Sequence, residues 1–329
     1  VKNPVLSAIH FQLTGRCNLR CTFCGQQNGM FAAREPELQL ADWQRAADDL
    51  PPGAVITLWG GEPLVCPFFD DLADDLYRRG FRLRIVTNGT LIDRHAALLN
   101  RAFEVINVSL DGPAADHDRF RGPGVFDRVK NNLKQLSPRQ GKLVFLTTVA
   151  DATVGRMAEL PLQLAPLHPD EIVLQQLMYL SSAEIADYRR WLRDVFQQTD
   201  PTLDVWHRDD DLAYRTELAH QCELVRTRCY PVPVTLRMHD CLTPFARPCN
   251  AACWRAHVKY NGDVLYCTDF YGFTAGNIRQ ASLSEIFHNA RSQKFRAEIA
   301  AGHNPLCRHC AWHGNNETIV LSAPALANG

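Results

Sequence analysis

The sequence has almost no net charge: 35 Lys and Arg stand against 36 Asp and Glu, which leaves −1 over 329 residues. A chain so balanced has no electrostatic attraction for nucleic acid or an anionic membrane surface. No apolar run approaches the ~18–20 residues a membrane span needs, and the segment Val1–Pro4 lacks the apolar core of a signal peptide. Internal repeats and low-complexity linkers are also missing. These absences exclude a membrane protein and lead us to expect a cytoplasmic location. The length suits one large domain, or one domain with a smaller companion.

What the sequence has in excess is cysteine. Twelve are present, three at Cys17, Cys21 and Cys24, one at Cys66, and eight between Cys222 and Cys310. In a cytosolic chain of this size, two clusters suggest two metal sites rather than disulfides or scattered core thiols.

Apolar, β-branched runs alternate with amphipathic stretches through the first half. Strands are expected at Ile9–Thr14, Val55–Trp59, Leu83–Thr87, Val105–Leu110, Leu143–Val149 and Ile172–Leu177. Helices are expected at Leu40–Leu50, Phe68–Arg79, Leu91–Ala102, Val125–Leu136 and Arg156–Leu164. Repeated strand–helix order implies right-handed crossovers and a parallel sheet, open or rolled into a barrel, with the chemistry on loops at the C-terminal strand ends. Beyond residue 178 the pattern changes: Ala183–Gln198 reads as a helix, Asp200–Tyr214 as a polar stretch, and Lys259–Val264 as a hairpin turning at Asn261-Gly262. The acidic run Asp209–Asp211 reads as a solvated loop, or as a contact for a polycationic substrate.

Cys17-Asn-Leu-Arg-Cys21-Thr-Phe-Cys24 follows the first strand directly. Three thiolates so spaced can reach three irons of a cubane and leave the fourth without a protein ligand. Zinc competes, with His10 as the nearby candidate for a fourth ligand. This CxxxCxxC, with Phe23 before the last Cys, resembles the radical S-adenosylmethionine (SAM) superfamily. Further matches follow in that family's order: Gly60-Gly61-Glu62-Pro63, Thr87-Asn88-Gly89-Thr90, Ser109-Leu110-Asp111-Gly112-Pro113, His117-Asp118 and Arg121-Gly122. The resemblance covers about residues 8–178. It implies an α/β fold, a partial (β/α)6 TIM-like barrel, and a 4Fe–4S cluster on Cys17, Cys21 and Cys24 whose open iron is chelated by SAM. Phe23, Gly60, Gly61, Glu62, Asn88, Ser109, Asp111 and Arg121 are the residues it assigns to SAM. The glycines would admit close backbone approach to a ligand, and Arg121 would suit a carboxylate.

The C-terminal segment resembles the SPASM and twitch extensions of that superfamily. The matching run includes Cys249, Cys253-Trp254, Asn261-Gly262-Asp263, Cys267, Gly276-Asn277-Ile278, Ser282–Phe287 and Cys307-Arg-His-Cys310. No cysteine follows Cys310, which favours the twitch form, a small C-terminal hairpin-plus-helix domain with one auxiliary 4Fe–4S cluster; a zinc site on the same thiols would have the same spacing. Domains are expected at 1–180 (barrel), 181–245 (connecting segment) and 246–329 (auxiliary domain). A two-residue turn would pair Tyr260 with Asp263 and set Cys267 opposite Ala256. That register favours Cys253 over Cys249 as a ligand with Cys267, Cys307 and Cys310, whereas the family's looser spacing admits Cys249.

The resemblance implies two 4Fe–4S clusters, SAM, an external reductant such as flavodoxin or ferredoxin, and hydrogen abstraction from an unactivated C–H bond. Few residues precede the first strand, which leaves no room here for the leader-peptide-binding domain of many peptide maturases. The chain resembles aminoglycoside epimerases of the neomycin type, which implies an aminoglycoside-like small-molecule substrate. A ribosomal-peptide maturase or a sugar-alcohol dehydrogenase is the alternative. An epimerase returns hydrogen to the opposite face of the substrate radical, and a thiol is the simplest donor. Cys249 is the expected donor, with Cys253 the first alternative and Cys66 or Cys241 behind it.

Overall fold

The computed structural model of the protein describes residues 4–25, 35–208, 212–238, 249–267, 272–307, 310 and 320–321; Asp209–Asp211 and Cys241 lie outside them. Strands and helices alternate as β1 (Ala8–Gln12), α1 (Leu40–Asp48), β2 (Val55–Trp59), α2 (Phe69–Arg78), β3 (Arg82–Thr87), α3 (Ile92–Ala102), β4 (Phe103–Ser109), α4 (Ala114–Arg121), α5 (Val125–Leu133), β5 (Lys142–Val149), α6 (Asp151–Val154), α7 (Leu160–Leu164) and β6 (Glu171–Gln176). The six expected strands are all present. The helix expected over Arg156–Leu164 is instead a 3-10 turn at Met157–Glu159 followed by α7, with Pro161 in the first turn of the second piece, as the missing proline N–H requires.

The second half adds α8 (Ser182–Phe196), α9 (Leu212–Thr227), β7 (Val234–Arg237), β8 (Arg255–Val258), β9 (Asp263–Leu265), β10 (Gly276–Asn277), α10 (Leu283–His288), α11 (Ala290–Ala300) and β11 (Val320–Leu321). All strands join one eleven-stranded sheet in the order β10-β9-β8-β1-β2-β3-β4-β5-β6-β7-β11. β1 to β7 run parallel, and β8 continues the parallel run on the far side of β1. The sheet therefore passes without a break from the expected barrel into both later segments. Ser181 starts α8 with a reciprocal cap, its Oγ accepting from the Glu184 N–H and its own N–H donating to Glu184 Oε2 at 2.8 Å.

The two faces of the sheet differ. Ile9, Phe11, Ile56, Leu58, Ile85, Ile106, Phe145 and Leu174 are fully buried in the core shared with the helices. The alternating inward residues His10, Trp59, Arg84, Asn107, Ser109, Thr148 and Gln175 are only half-buried. A closed eight-stranded barrel fills its interior with layers of side chains; this sheet stays open, and these accessible inward residues alternate with buried ones such as Gln12, Thr57, Val144 and His257. Among the described residues, no helix is long and apolar enough to cross a membrane.

The hairpin departs from the expected register by one residue. His257 pairs with Leu265 and Val258 with Val264, and the Gly262 N–H donates to Lys259 O while Gly262 takes φ +98°. The loop is thus a turn closed by a left-handed glycine bulge rather than a two-residue turn. A one-residue slip exchanges the faces of every side chain, so the count that set Cys267 opposite Ala256 does not hold.

Candidate active site

The loop that leaves the C-terminal end of β1 carries Cys17, Cys21 and Cys24, and backbone contacts fix its course. Gly61 N–H donates to Thr14 O and Glu62 N–H to Arg16 O, both at 2.8 Å. A Cβ at Gly61 would lie 2.1 Å from Arg16 O, and one at Gly60 2.7 Å from Thr14 O. Both positions require glycine where the loop after β2 packs backbone to backbone against the cysteine loop.

Glu62 is also spent on structure. Its carboxylate accepts from Leu64 N–H (3.1 Å), Thr87 Oγ1 (2.6 Å) and Asn88 N–H (2.7 Å), tying the end of β2 to the end of β3. Burial pushes its pKa up to about 7 against those three bonds. Asn88 turns to the cysteine loop, its Nδ2 donating to Asn18 Oδ1 at 2.9 Å and lying 3.9 Å from Cys17 Sγ.

Asp111 and Arg121, expected to contact SAM separately, hold each other. Arg121 Nε and Nη2 donate to the two Asp111 oxygens at 2.5 and 3.2 Å, and both residues are buried. Asp111 Oδ1 also accepts from Thr148 N–H at 3.0 Å. The third guanidinium nitrogen stands 4.0 Å from Cys21 Sγ, and the Phe23 ring lies 5.6 Å from the guanidinium carbon. Burial opposes the Arg121 charge, but Asp111, Cys21 and Cys24 outweigh it and raise its pKa. Ser109 ends β4, and it is half-buried at an inward position.

Burial pushes the Cys21 thiol up to about 11, opposed by Arg121 and reinforced by Cys24 and Cys17; Cys17 is raised by burial too. Cys17 and Cys21, which burial makes hard to ionise alone, suit a metal cluster shared with Cys24, whose binding supplies the compensating charge. Among the described residues no group of three or more His, Cys, Asp or Glu is set to hold a single metal ion; thiols that bind separate irons of a cubane need not converge on one point. His10, the candidate fourth zinc ligand, lies mid-strand against His257, away from this loop.

The second cysteine group lies at the other end of the sheet. β8 runs parallel to β1 with Arg255 opposite Ala8, so Cys249 and Cys253, which precede β8, lie at the N-terminal end of β1, whereas Cys17 follows its C-terminal end. One five-residue strand separates the ends, roughly 16 Å at ~3.3 Å per residue. Burial raises the Cys307 thiol, and Cys249 and Cys310 raise it further. Cys267 and Cys307 both act on the buried hydroxyl of Tyr188, on α8, raising it after burial has done so. Cys249, Cys267, Cys307 and Cys310 all pack against the core. Cys253 instead responds to burial, Arg296 and Cys249. Cys249 thus acts on both Cys307 and Cys253. The 3-10 turn Ala251–Cys253 bends the chain where residue counting assumed an extended one. Cys66 and Cys222 are buried in the core and Cys229 is exposed.

Sequence reading missed Tyr188 and His257. Tyr188 carries no motif; His257 was legible as a polar residue at an inward position, two after Arg255.

Comparison with known proteins agrees with both halves of the molecule. The Radical SAM superfamily matches residues 11–156, and the SPASM iron–sulfur cluster-binding domain matches residues 249–311. A probable GTP 3′,8-cyclase of Methanothermobacter thermautotrophicus is 35% identical over 167 residues, 47% of this chain and 53% of the cyclase, so the chain spans about half of that relative. An AdoMet-dependent heme synthase of Methanosarcina barkeri is 26% identical over 86% of this chain and 82% of its own. The solved structure of Streptococcus suis SuiB bound to S-adenosylmethionine superposes with a TM-score of 0.64 at 15% identity, over 93% of this chain and 71% of that one. The chain carries a radical SAM domain and a SPASM/twitch-type iron–sulfur domain, a combination that implies SAM and two 4Fe–4S clusters.

Proposed function

We propose that the protein is a radical SAM epimerase acting on a ring of an aminoglycoside-like, hydroxyl-rich substrate held between the two cysteine groups. The observation that carries this reading is the open inner face of the barrel. Its half-buried residues His10, Asn107, Ser109, Thr148 and Gln175 are uncharged donors and acceptors, with Trp59 beside them, and such a surface suits hydroxyls and the apolar face of a sugar ring.

Cys17, Cys21 and Cys24 would hold the cluster that carries SAM, and Cys249, Cys267, Cys307 and Cys310 the auxiliary cluster. When bound, the first cluster with SAM supplies a 5′-deoxyadenosyl radical that takes a hydrogen atom from a substrate C–H bond. The protein's own part is to pin the cysteine loop through Gly60, Gly61 and Glu62, to set the Arg121 charge beside Cys21, and to orient the ring in a site that excludes water. With Cys249 assigned to the auxiliary cluster in this reading, the hydrogen-returning thiol is Cys253. Its S–H bond breaks as the new substrate C–H bond forms, and a solvent proton with an electron from an external reductant restores the thiol.

The test uses the anaerobically reconstituted enzyme with a neomycin-type aminoglycoside in D2O. The product should gain one deuterium at the inverted carbon. Cys253→Ala should keep both clusters and cleave SAM without giving the inverted product, while Cys249→Ala should lose the auxiliary iron. Conversion of a ribosomal peptide instead, with no sugar product, would favour the maturase reading.

A further inference from the structure

The inner wall carries an arrangement that the SAM site and the cysteines do not use. His10, in the middle of β1, is paired in register with Thr57 on β2 and His257 on β8. The two imidazoles meet edge to face, centroids 4.4 Å apart and planes at 79°. His257 is 2% exposed, and neither of its ring nitrogens has a hydrogen-bond partner among the described residues. Gln12, one inward position along β1, is fully buried with both amide atoms equally unpartnered. Buried polar groups without partners cost about 1–3 kcal/mol each, and a fold retains them where something else fills the bond.

His10 differs from its neighbours in keeping accessible surface. Burial, with Arg255 and Arg84, lowers its pKa to about 3, while its side chain is only half-buried and keeps open surface on the inner face of the sheet. The charged groups acting on it are cations, Arg255 from β8 and Arg84 from β3, the latter bonded to Glu104 at 2.6 Å. No carboxylate among the described residues pairs with Arg255. Behind His10 stands His257, which burial, His10 and Arg255 hold well below the ordinary histidine range. The ring therefore presents one N–H donor and one nitrogen acceptor in a locally positive field.

We propose that His10 is a specificity-determining residue of the barrel, binding a hydroxyl of the substrate ring midway between the two cysteine groups, with His257 as the backing that fixes its orientation, and that the ring admitted there bears hydroxyls and no ammonium. A hydroxyl can both donate to and accept from a neutral imidazole. An ammonium can only donate, and it would lie near the Arg255 guanidinium, which no carboxylate among the described residues offsets. The amines of an aminoglycoside-like substrate then stay outside the barrel. The inference deepens the proposed function and rests on its placing the substrate in the barrel, but not on epimerisation as the outcome.

The experiment is calorimetric titration of the reconstituted holoenzyme, with SAM, by cellotriose and by fully deacetylated chitotriose, the same β1–4 trisaccharide with one hydroxyl per ring replaced by ammonium. Cellotriose should bind at least ten-fold more tightly. His10→Phe should abolish that preference and weaken cellotriose ten-fold or more, while His10→Gln, which keeps a donor and an acceptor, restores part of it. Iron content and substrate-free SAM cleavage, measured on each variant, separate lost recognition from lost folding. Equal or tighter binding of chitotriose, binding of neither sugar, or an unchanged cellotriose affinity in His10→Phe would overturn the proposal. Failure of the D2O experiment with the His10 effects intact would overturn the epimerase reading alone.

Discussion

At the C-terminal end of β1, the buried polar residues Glu62, Asn88, Asp111 and Arg121 are bonded to one another or to the Asn18 side chain of the cysteine loop. On the inner face of β1 and its neighbour β8, Gln12 and His257 are also buried and have no hydrogen-bond partner among the described residues. The first region is finished without a ligand, so its polar groups hold the loop in place before anything binds. The second is unfinished, and its unmet hydrogen bonds mark where a ligand belongs. On the proposed reading, a single small barrel separates a mount for the radical-generating cofactor from a wall that recognises what the radical attacks.

The largest effect should come from dismantling the mount. Replacing Cys17, Cys21 and Cys24 together by Ala is expected to lower iron from about eight to about four atoms per chain, as two four-iron clusters require, and to abolish 5′-deoxyadenosine formation. Iron analysis and chromatography of the product check both. Surviving SAM cleavage would remove the distinction between the two ends.

Next is the buried ion pair. Asp111→Ala leaves the Arg121 charge uncompensated and should cost about 3–5 kcal/mol in urea unfolding. Asp111→Ala combined with Arg121→Leu should cost less than Asp111→Ala alone. Additive losses would mean that the pair does not act as a unit.

Glu62 gives a pH dependence whose sign follows from its burial. Its folded pKa, about 7, lies above the ordinary 4.5, so the unfolded chain loses this proton first and folding is penalised as the carboxyl ionises. The contribution to stability is fully present below pH 4.5, falls between 4.5 and 7, and is level above that. Glu62→Gln should flatten this part of the urea-midpoint profile; an unchanged slope would assign it to another group.

The smallest effect sharpens the contrast from the other side. Gln12→Leu removes two unmet polar groups and should leave stability unchanged or raise it by about 1 kcal/mol, whereas the same change at Asn88 should destabilise. Denaturation of the two variants side by side decides this; destabilisation by Gln12→Leu would place an unseen partner on the wall.

Much of the mount is legible in the sequence, because the spacing of Cys17, Cys21 and Cys24 and the turn residues after β2, β3 and β4 are local signals. Helix α9 is legible in principle: Tyr214, Leu218, Cys222 and Val225 form a buried stripe. The stripe is interrupted by Gln221, whose amide reaches Ala158 N–H and Gly155 O, and the interruption hides the period. Two features cannot be read that way. The register of the β8–β9 hairpin turns on whether Gly262 is a turn residue or a bulge, which the Asn-Gly pair alone does not decide. The choice between Cys249 and Cys253 depends on a 3-10 turn. The pairing of Asp111 with Arg121 and the meeting of His10 with His257 join residues that come together through the fold rather than through local pattern.

The proposed arrangement, two cluster sites at opposite ends of the barrel with the substrate between them, sets a distance between the clusters, and that distance is the most direct test. Pulsed electron paramagnetic resonance on the reconstituted, reduced enzyme measures it through their dipolar coupling. The predicted separation is about 16 Å, the length of β1. A value below about 10 Å or above about 25 Å on the same strand-length scale would contradict this arrangement.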